Sequence, residues 1–164
     1  MSNFFNNKIA FSSNKSDWET PQQLFNKLNK KYNFTWDLAA SKQNAKCKNY
    51  FTKEQDSLIQ DWSKLKGNLY LNPPYGRHIQ KWVEKAYYSS VSKEDGQSII
   101  LLLPSRTDTS YWHEYIFGKA KIYFLRGRLK FELNGESSQP APFPSAIIEF
   151  CSNKLDLVEG VQLA

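Results

Sequence analysis

The amino-acid sequence predicts an α/β fold built on one mostly parallel β-sheet. Residues 98–103 (SIILLL) are all apolar after the first serine, which is typical of a central parallel strand buried on both faces. Residues 77–92 are amphipathic with helical spacing, as expected for a crossover helix that packs on a sheet. A third run, residues 68–71, stops at two prolines that cannot continue a ladder. Such sheets bind ligands at the carboxyl ends of their strands, so we expect the functional site there.

The composition of the chain points to one domain and argues against several classes of protein. Its 164 residues suffice for one hydrophobic core, and we predict a flexible segment over residues 1–16 and a single domain over residues 17–164. A net charge of +6 favours a polyanionic partner. Two cysteines are too few for a disulfide framework and lack zinc-ligand spacing, so we expect no metal. No apolar run approaches membrane-spanning length, and we expect a cytoplasmic protein.

The tetrapeptide Asn72-Pro73-Pro74-Tyr75 follows the strand predicted at residues 68–71. Its prolines stiffen the loop and hold Asn72 and Tyr75 at the end of the strand. The asparagine oxygen and a proline carbonyl are two adjacent acceptors, which suit an exocyclic amine such as adenine N6. Accepting its hydrogens favours a tetrahedral, partly cationic nitrogen, and this stabilises the transition state of an attack by that nitrogen. Tyr75 would add a stacking face worth about 1–3 kcal/mol. The alternative is an ordinary surface turn.

A helix is predicted directly before the first strand. Thr20 and Pro21 are typical of an N-cap followed by the first helical position, and the helix runs to about Lys31. Its apolar residues recur at helical spacing and predict the buried face, which consists of Leu24, Phe25 and Leu28.

The first strand is predicted over residues 34–41, with an acid followed by small residues. The acid, Asp37, can hold an ammonium group or a bound water, and small residues such as Ala39 let the backbone approach a ligand closely. An ordinary strand-to-loop transition would look the same.

Residues 42–55 are too few for a helix and a strand, so we expect mostly loop with one short strand near Tyr50-Phe51. Asp56 then heads a short helical pattern as an N-cap, 16 residues before Asn72.

The second half of the chain predicts one further helix and three strands. Asp108 or Thr109 is suited to cap the helix. The strands are expected at residues 121–125, 128–133 and 145–150, with a long loop over residues 134–144 before the last one, which closes the sheet.

Several short segments carry a resemblance when they are taken in order. They are Trp18-Glu-Thr-Pro, Trp36-Asp-Leu-Ala-Ala-Ser, Tyr50-Phe-Thr with Asp56-Ser-Leu, Asn72-Pro-Pro-Tyr-Gly, Leu103-Pro-Ser-Arg-Thr-Asp, Gly127-Arg-Leu-Lys-Phe and Pro142-Phe-Pro-Ser-Ala. This set resembles the phage-type DNA N6-adenine methyltransferases from about residue 17 to residue 150. The resemblance implies a class I methyltransferase-like (Rossmann-like) fold. That fold has a mostly parallel sheet with a C-terminal antiparallel return, and here it is shortened between the first and fourth strands.

The resemblance also implies transfer of a methyl group from S-adenosylmethionine to adenine N6 in DNA, with double-stranded DNA expected. By it, the catalytic residues are Asn72, Pro73, Pro74 and Tyr75. The cofactor-binding residues are Trp18, Thr20, Pro21, Asp37, Ala39 and Asp56. Basic residues expected to contact phosphates are Arg77, Arg106, Arg126, Arg128 and Lys130, although each of them alone could be an ordinary surface residue.

Two other functions fit the same sequence. The methyl acceptor could be adenine in RNA or glutamine in a protein, since Asn-Pro-Pro-Tyr suits amide nitrogen as well. The chain could also be a non-catalytic DNA-binding remnant of the same fold. If the protein is encoded by a phage, its expected location is the cytoplasm of the host.

Overall fold

The computed structural model describes residues 18–94 and 96–152, together with the backbone of residues 161–163. The segment predicted to be flexible, residues 1–16, lies outside the described residues. The helices are α1 (Gln22–Tyr32) and α2 (Ile79–Val91). The strands are β1 (Phe34–Asp37), β2 (Asn49–Tyr50), β3 (Asn68–Leu71), β4 (Ser98–Pro104), β5 (Lys121–Leu125), β6 (Glu132–Leu133), β7 (Glu136–Ser137), β8 (Ser145–Cys151) and β9 (Val161–Leu163). In the described part of the chain, no helix is both long and apolar enough to cross a membrane.

Seven strands form one sheet in the order β2-β1-β3-β4-β8-β5-β9. The first four of these are parallel to one another. Strand β8 is antiparallel to both of its neighbours, β4 and β5, so the predicted antiparallel return is confirmed. It lies inside the sheet, because β5 and then β9 continue beyond it. Only one short strand, β2, lies between β1 and β3 in the chain, in agreement with the predicted shortening.

Both faces of the sheet are covered by a hydrophobic core. In β4, Ile99, Leu101 and Leu103 face the core that packs against α2, whereas Ile100 and Leu102 face the core that packs against α1. All five side chains are fully buried, which explains why this strand is a continuous apolar run. The sheet is therefore held rigidly from both sides, and its strand ends are fixed positions for functional side chains.

Helix α1 begins one residue later than predicted, and Thr20 is not its N-cap. Pro21 has extended dihedral angles (φ −56°, ψ 130°), and its carbonyl accepts the first helical hydrogen bond, from the amide of Phe25. The amide of Gln22 donates to the carboxylate of Glu132 at 2.8 Å, so a distant acid caps the helix. The hydroxyl of Thr20 is thereby available for contacts elsewhere.

Two further predictions in the second half of the chain are confirmed only in part. A helix follows Thr109 as expected, but it is a short π-helix (Trp112–Ile116). The cap predicted at Asp108 or Thr109 is wrong, because no described side chain caps this helix and the Thr109 hydroxyl donates to the carbonyl of Arg106. The strand expected over residues 128–133 is reduced to β6, which pairs with β7 in a separate two-stranded sheet. The turn between them is Asn134-Gly135, with positive φ at both residues, a pairing that favours a tight hairpin.

Candidate active site

The carboxyl ends of the parallel strands bring the predicted catalytic loop and the first acid to one edge of the sheet. Asp37 is the last residue of β1, and Asn72 directly follows β3, its neighbour in the sheet. Pro73 is buried after Asn72, whereas Pro74 is exposed. The loop therefore leaves the sheet at a fixed place and holds Asn72 against the core.

The side-chain amide of Asn72 is held by hydrogen bonds on its nitrogen. Nδ2 donates to the backbone carbonyl of Trp18 at 2.5 Å and to the hydroxyl of Thr20 at 3.1 Å. Since a carbonyl can only accept, the atom facing Trp18 must be the nitrogen. The oxygen, Oδ1, is buried and has no hydrogen-bond partner among the described residues. A buried acceptor without a partner costs about 1–3 kcal/mol, so the site is prepared for a donor that the protein itself does not supply.

Residues 18–20, which we call the strap, lie beside Asn72 and are held there by two sets of hydrogen bonds. Glu19 and Glu132 exchange backbone hydrogen bonds in an antiparallel bridge, of 3.3 and 2.8 Å. The hydroxyl of Thr20 lies 2.6 Å from the hydroxyl of Tyr70, a residue of β3. The predicted cofactor residue Thr20 therefore directs its hydroxyl toward Asn72 and Tyr70.

Tyr75 lies in a group of four aromatic residues, the aromatic cluster, which consists of Trp18, Tyr75, Phe131 and Phe143. Tyr75 meets Phe131 and Phe143 edge to face, with ring centroids 6.0 and 5.7 Å apart. Trp18 packs on the same two rings, at 5.2 and 5.4 Å. The Tyr75 hydroxyl donates to the carbonyl of Leu102 at 3.0 Å, and burial raises the pKa of this hydroxyl well above its usual range, so it remains a donor.

Sequence reasoning gave no role to Phe131 and Phe143, although both lie in segments that carried the resemblance. One feature of the sequence could have indicated a role for Phe143. It lies between two prolines, Pro142 and Pro144, in a segment that forms no β-strand. Such a residue is held stiffly and has no evident role in a sheet.

Asp37 is a buried acid that forms no salt bridge with the described residues. Its carboxylate accepts from the backbone amides of Ala39 at 3.3 Å and Lys46 at 3.0 Å. Burial raises the pKa of Asp37 to about 6, although these two hydrogen bonds and the charge of Lys46 oppose the rise. The side chain of Lys46 extends to Glu132 at 3.6 Å, and no described residue forms a salt bridge with Asp37. The carboxylate is therefore well placed to attract a cationic ligand group.

Asp56 is the predicted N-cap, and its carboxylate accepts from the amide of Leu58 at 3.2 Å. It is exposed and has a left-handed backbone conformation (φ 45°), which aspartate tolerates better than most residues. Its role toward a cofactor stays a prediction, as does that of Pro21, which borders a groove beside α1.

The predicted DNA-contacting residues fall into two separate groups. Arg77 and Arg106 line a cavity of about 300 Å³ that also borders Tyr75 and the start of α2. Arg126 and Lys130 line a larger groove, of about 610 Å³, between α1 and β5. Arg128 is exposed and lines neither of them. The structure thus places one pair of cations beside the Asn-Pro-Pro-Tyr loop and the other pair away from it.

Comparison with known proteins agrees with this geometry. A family model described as DNA N-6-adenine-methyltransferase (Dam) matches residues 9–148, most of the chain. The chain belongs to the Dam family. Membership of this family confirms the resemblance predicted from the sequence and the enzyme class, an adenine-specific DNA methyltransferase. The mixed α/β sheet agrees with a methyltransferase-like fold, and a methyltransferase requires a methyl donor.

Two relatives in the Dam family are phage proteins. A DNA N-6-adenine-methyltransferase of Escherichia phage T1 is 29% identical over 122 residues, which cover 72% of this chain and 48% of the relative. A DNA N-6-adenine-methyltransferase of Haemophilus phage HP1 (strain HP1c1) is 30% identical over 144 residues, which cover 84% of this chain and 80% of the relative. The match thus spans about half the length of the phage T1 protein and most of the phage HP1 protein.

Proposed function

We propose that this chain transfers a methyl group from S-adenosylmethionine to the N6 amino group of adenine in DNA. The observation that carries the proposal is the side-chain oxygen of Asn72, which is buried and has no hydrogen-bond partner within residues 18–94 and 96–152. It is held at the end of a central strand, close in sequence to Tyr75. The proposed domain for this activity covers residues 17–164. Because two of the relatives are phage proteins, we propose that the reaction takes place in the cytoplasm of a host bacterium.

The proposed chemistry depends on hydrogen-bond acceptors. The adenine amine is planar and a poor nucleophile, because its lone pair is delocalised into the ring. Asn72 Oδ1 and the carbonyl of Pro73 accept its two hydrogens, and these bonds strengthen as positive charge develops on nitrogen. When bound, S-adenosylmethionine supplies an electrophilic methyl group on a sulfonium. The protein holds the amine in line with that methyl group, and positioning contributes a large part of the rate.

The residues around Asp37 fit a cofactor that carries an ammonium group. Its carboxylate is buried, forms no salt bridge with the described residues and has a raised pKa, so an ammonium group would reduce the free-energy cost of burying the charge. The proposed cofactor-binding residues are Trp18, Thr20, Pro21, Asp37, Ala39 and Asp56, and Thr20 would act through its backbone because its hydroxyl contacts Tyr70 and Asn72. Of these, Ala39 acts through its backbone, which already donates to Asp37.

The target adenine in a duplex must be flipped out of the stack, which costs a few kcal/mol. Tyr75 is proposed to stack on the flipped base, and such a contact contributes about 1–3 kcal/mol. Because its hydroxyl is hydrogen-bonded to Leu102, the ring keeps one orientation without substrate. The aromatic cluster therefore offers a preformed surface, and little side-chain entropy is lost when the base binds.

Radiolabelled methyl transfer to DNA, RNA and protein in parallel tests this function. We expect label in DNA and none above background in RNA or protein. Label in RNA or protein alone would identify a different acceptor. Cofactor binding without transfer to any of the three would leave a non-catalytic DNA-binding protein.

We expect Arg106→Ala to weaken DNA binding and to lower its salt dependence by about 0.9 in the slope of log K against log salt, as for one lost phosphate contact. Arg106 is exposed and lines the cavity beside Tyr75. Its loss should therefore also lower kcat/KM more than Arg126→Ala does, because Arg126 lines the distant groove. DNA binding is measured by fluorescence anisotropy over a series of salt concentrations.

Lys64→Ala is the matched control for this prediction. It removes one positive charge from an exposed side chain that is already paired with Asp61 at 3.1 Å and lines neither cavity. We expect Lys64→Ala to have the wild-type slope of log K against log salt and the wild-type kcat/KM. Equal effects of Arg106→Ala and Lys64→Ala would mean that only the net charge of the protein matters.

A further inference from the structure

Three polar side chains from distant parts of the sequence form one connected hydrogen-bonded group, Tyr70–Thr20–Asn72. Tyr70 and Thr20 join their hydroxyls at 2.6 Å, and Thr20 accepts from Asn72 Nδ2 at 3.1 Å. Tyr70 is 1% and Thr20 3% exposed, so water does not compete for these bonds. Neither hydroxyl is needed for the fold of its own element, because Tyr70 lies in a strand and Thr20 does not cap α1.

We propose that Thr20 and Tyr70 are positioning residues that fix the orientation of the Asn72 amide, with its oxygen toward the substrate amine. This inference rests on the proposed function of Asn72. It assigns to the hydroxyl of Thr20 a role in the methyl-transfer step in place of the role in cofactor binding expected from the sequence.

The orientation of an asparagine amide has to be fixed by hydrogen bonds, because its oxygen and its NH₂ group have nearly the same shape. Turning the amide by half a rotation would exchange Oδ1 for an NH₂ group. The substrate amine would then meet a donor instead of an acceptor, and the bond that strengthens in the transition state would be lost. Packing alone does not distinguish the two orientations, so hydrogen-bond partners must.

The partners of Asn72 Nδ2 favour one orientation. The carbonyl of Trp18 is an obligatory acceptor. Thr20 could in principle donate as well as accept. If Thr20 donates to Tyr70, its proton is used and it can only accept from Asn72. If Tyr70 donates, the Thr20 oxygen still has a lone pair for Asn72, and the carbonyl of Trp18 excludes the reversed amide. Burial raises the pKa of Tyr70, so the tyrosine stays neutral and remains a partner in either arrangement.

The strap supplies both contacts to Asn72 and is itself fastened. Its Glu19 pairs with Glu132 through the backbone, and Trp18 packs on Phe131 and Phe143. Orientation of the catalytic amide is therefore coupled to the same segments that form the aromatic cluster.

The test compares Thr20→Val, which keeps the shape but removes the hydroxyl, with Thr20→Ser, which keeps the hydroxyl. We expect Thr20→Val to lower kcat about tenfold, as for one lost hydrogen bond, while the Kd for S-adenosylhomocysteine stays within about twofold of wild type. Thr20→Ser should restore kcat to within about threefold of wild type. Tyr70→Phe should lower kcat by a smaller factor. Affinity is measured by calorimetry, and melting temperatures identify variants that do not fold.

A second readout separates positioning from a general structural role. In the Asn72→Ala background, Thr20→Val should cause no further loss of kcat, because there is no amide left to orient. A purely structural defect would lower the residual rate again by the same factor. If Thr20→Val does not fold, the same cycle is carried out with Tyr70→Phe.

Wild-type kcat in both Thr20→Val and Tyr70→Phe would overturn the proposal, and so would equal losses in the presence and absence of Asn72. A loss confined to the Kd for S-adenosylhomocysteine would also overturn it and return Thr20 to cofactor binding. These results leave the proposed function intact if the wild-type protein methylates DNA. If the wild-type protein methylates no DNA, the proposed function fails and the positioning role fails with it.

Discussion

Replacing Asn72 with alanine is expected to lower the rate of methyl transfer by about 10²–10³-fold, by analogy with the removal of one oxyanion-hole donor. The affinity for S-adenosylhomocysteine should stay close to that of the wild-type protein. The reason is that Asn72 Oδ1 has no hydrogen-bond partner in the described part of the chain, whereas Nδ2 donates to two groups of the protein. The lost interaction is one that strengthens only as charge develops on the amine, so kcat should fall more than any binding constant. Single-turnover methylation of DNA and calorimetry measure the two quantities.

Asn26→Ala is a matched control, because Asn26 is an exposed asparagine on α1, where its side chain accepts from Gln22. We expect wild-type rates from it. If Asn72→Ala methylated DNA at the wild-type rate with a normal melting temperature, the Asn-Pro-Pro-Tyr loop would be a structural turn. Asn72 would then have no part in the methyl-transfer step.

The affinity for S-adenosylhomocysteine is expected to increase about tenfold as pH rises from about 5 to about 7, through the titration of Asp37. Burial raises the pKa of Asp37 to about 6, so its carboxyl group is mostly neutral below that pH and mostly charged above it. The ligand's ammonium group stays charged over this range, because an α-amino group titrates above about pH 7.7 and the adjacent carboxylate of the ligand raises its pKa further. The ammonium group binds the charged carboxylate better than the neutral carboxyl group. Below the pKa of Asp37, binding therefore releases a proton from Asp37, and the affinity increases as pH rises.

In the absence of ligand, the titration of Asp37 has the opposite effect on the stability of the folded protein. Because the pKa of Asp37 is higher in the folded protein than in the unfolded chain, the folded state binds more protons between about pH 4 and about pH 6. The contribution of Asp37 to stability therefore falls as pH rises through this window, and a bound ammonium group should offset that loss.

Asp37→Asn should weaken S-adenosylhomocysteine binding at neutral pH and remove most of its pH dependence. Asp108→Asn is the control, because Asp108 is an exposed acid on the loop after β4. Asp108→Asn should leave the pH dependence of S-adenosylhomocysteine affinity unchanged. A wild-type affinity that is flat between about pH 5 and pH 7 would show that Asp37 does not bind the ammonium group.

The elements with a strong local pattern could be predicted from the sequence. The apolar run of β4, the strand that ends at Asn72 and the crossover helix α2 each follow from periodicity and from the positions of the prolines. The mostly irregular course of residues 42–55, with the short strand β2, also follows from length, because these residues are too few for a helix and a strand. These predictions succeed because the information is contained within a few consecutive residues.

The parts that could not be predicted depend on contacts between distant residues. Thr20 before Pro21 has the sequence of an N-cap, but a partner 50 residues away, Tyr70, takes its hydroxyl, and Glu132 caps the helix instead. Local capping rules contain no information about either contact. The strand expected over residues 128–133 is interrupted for a related reason, since most of its alternating residues find no neighbouring strand.

The sequence places Asn72 and Asp37 at the carboxyl ends of two predicted strands, where ligands of such sheets bind. The structure adds that these two strands are neighbours in the sheet, so both residues lie at one edge of it. The division of the basic residues into two groups depends on strand order, since β8 separates β4 from β5. The order of strands in a sheet is not encoded in any local pattern, so this division appears only in the structure.

The most direct test of the central claim is the nucleoside composition of DNA after incubation with the protein and S-adenosylmethionine, measured by mass spectrometry. The account predicts N6-methyldeoxyadenosine as the product, formed by the wild-type protein and almost absent with Asn72→Ala. Methylated cytosine in place of methylated adenine, or equal N6-methyldeoxyadenosine from both proteins, would contradict it.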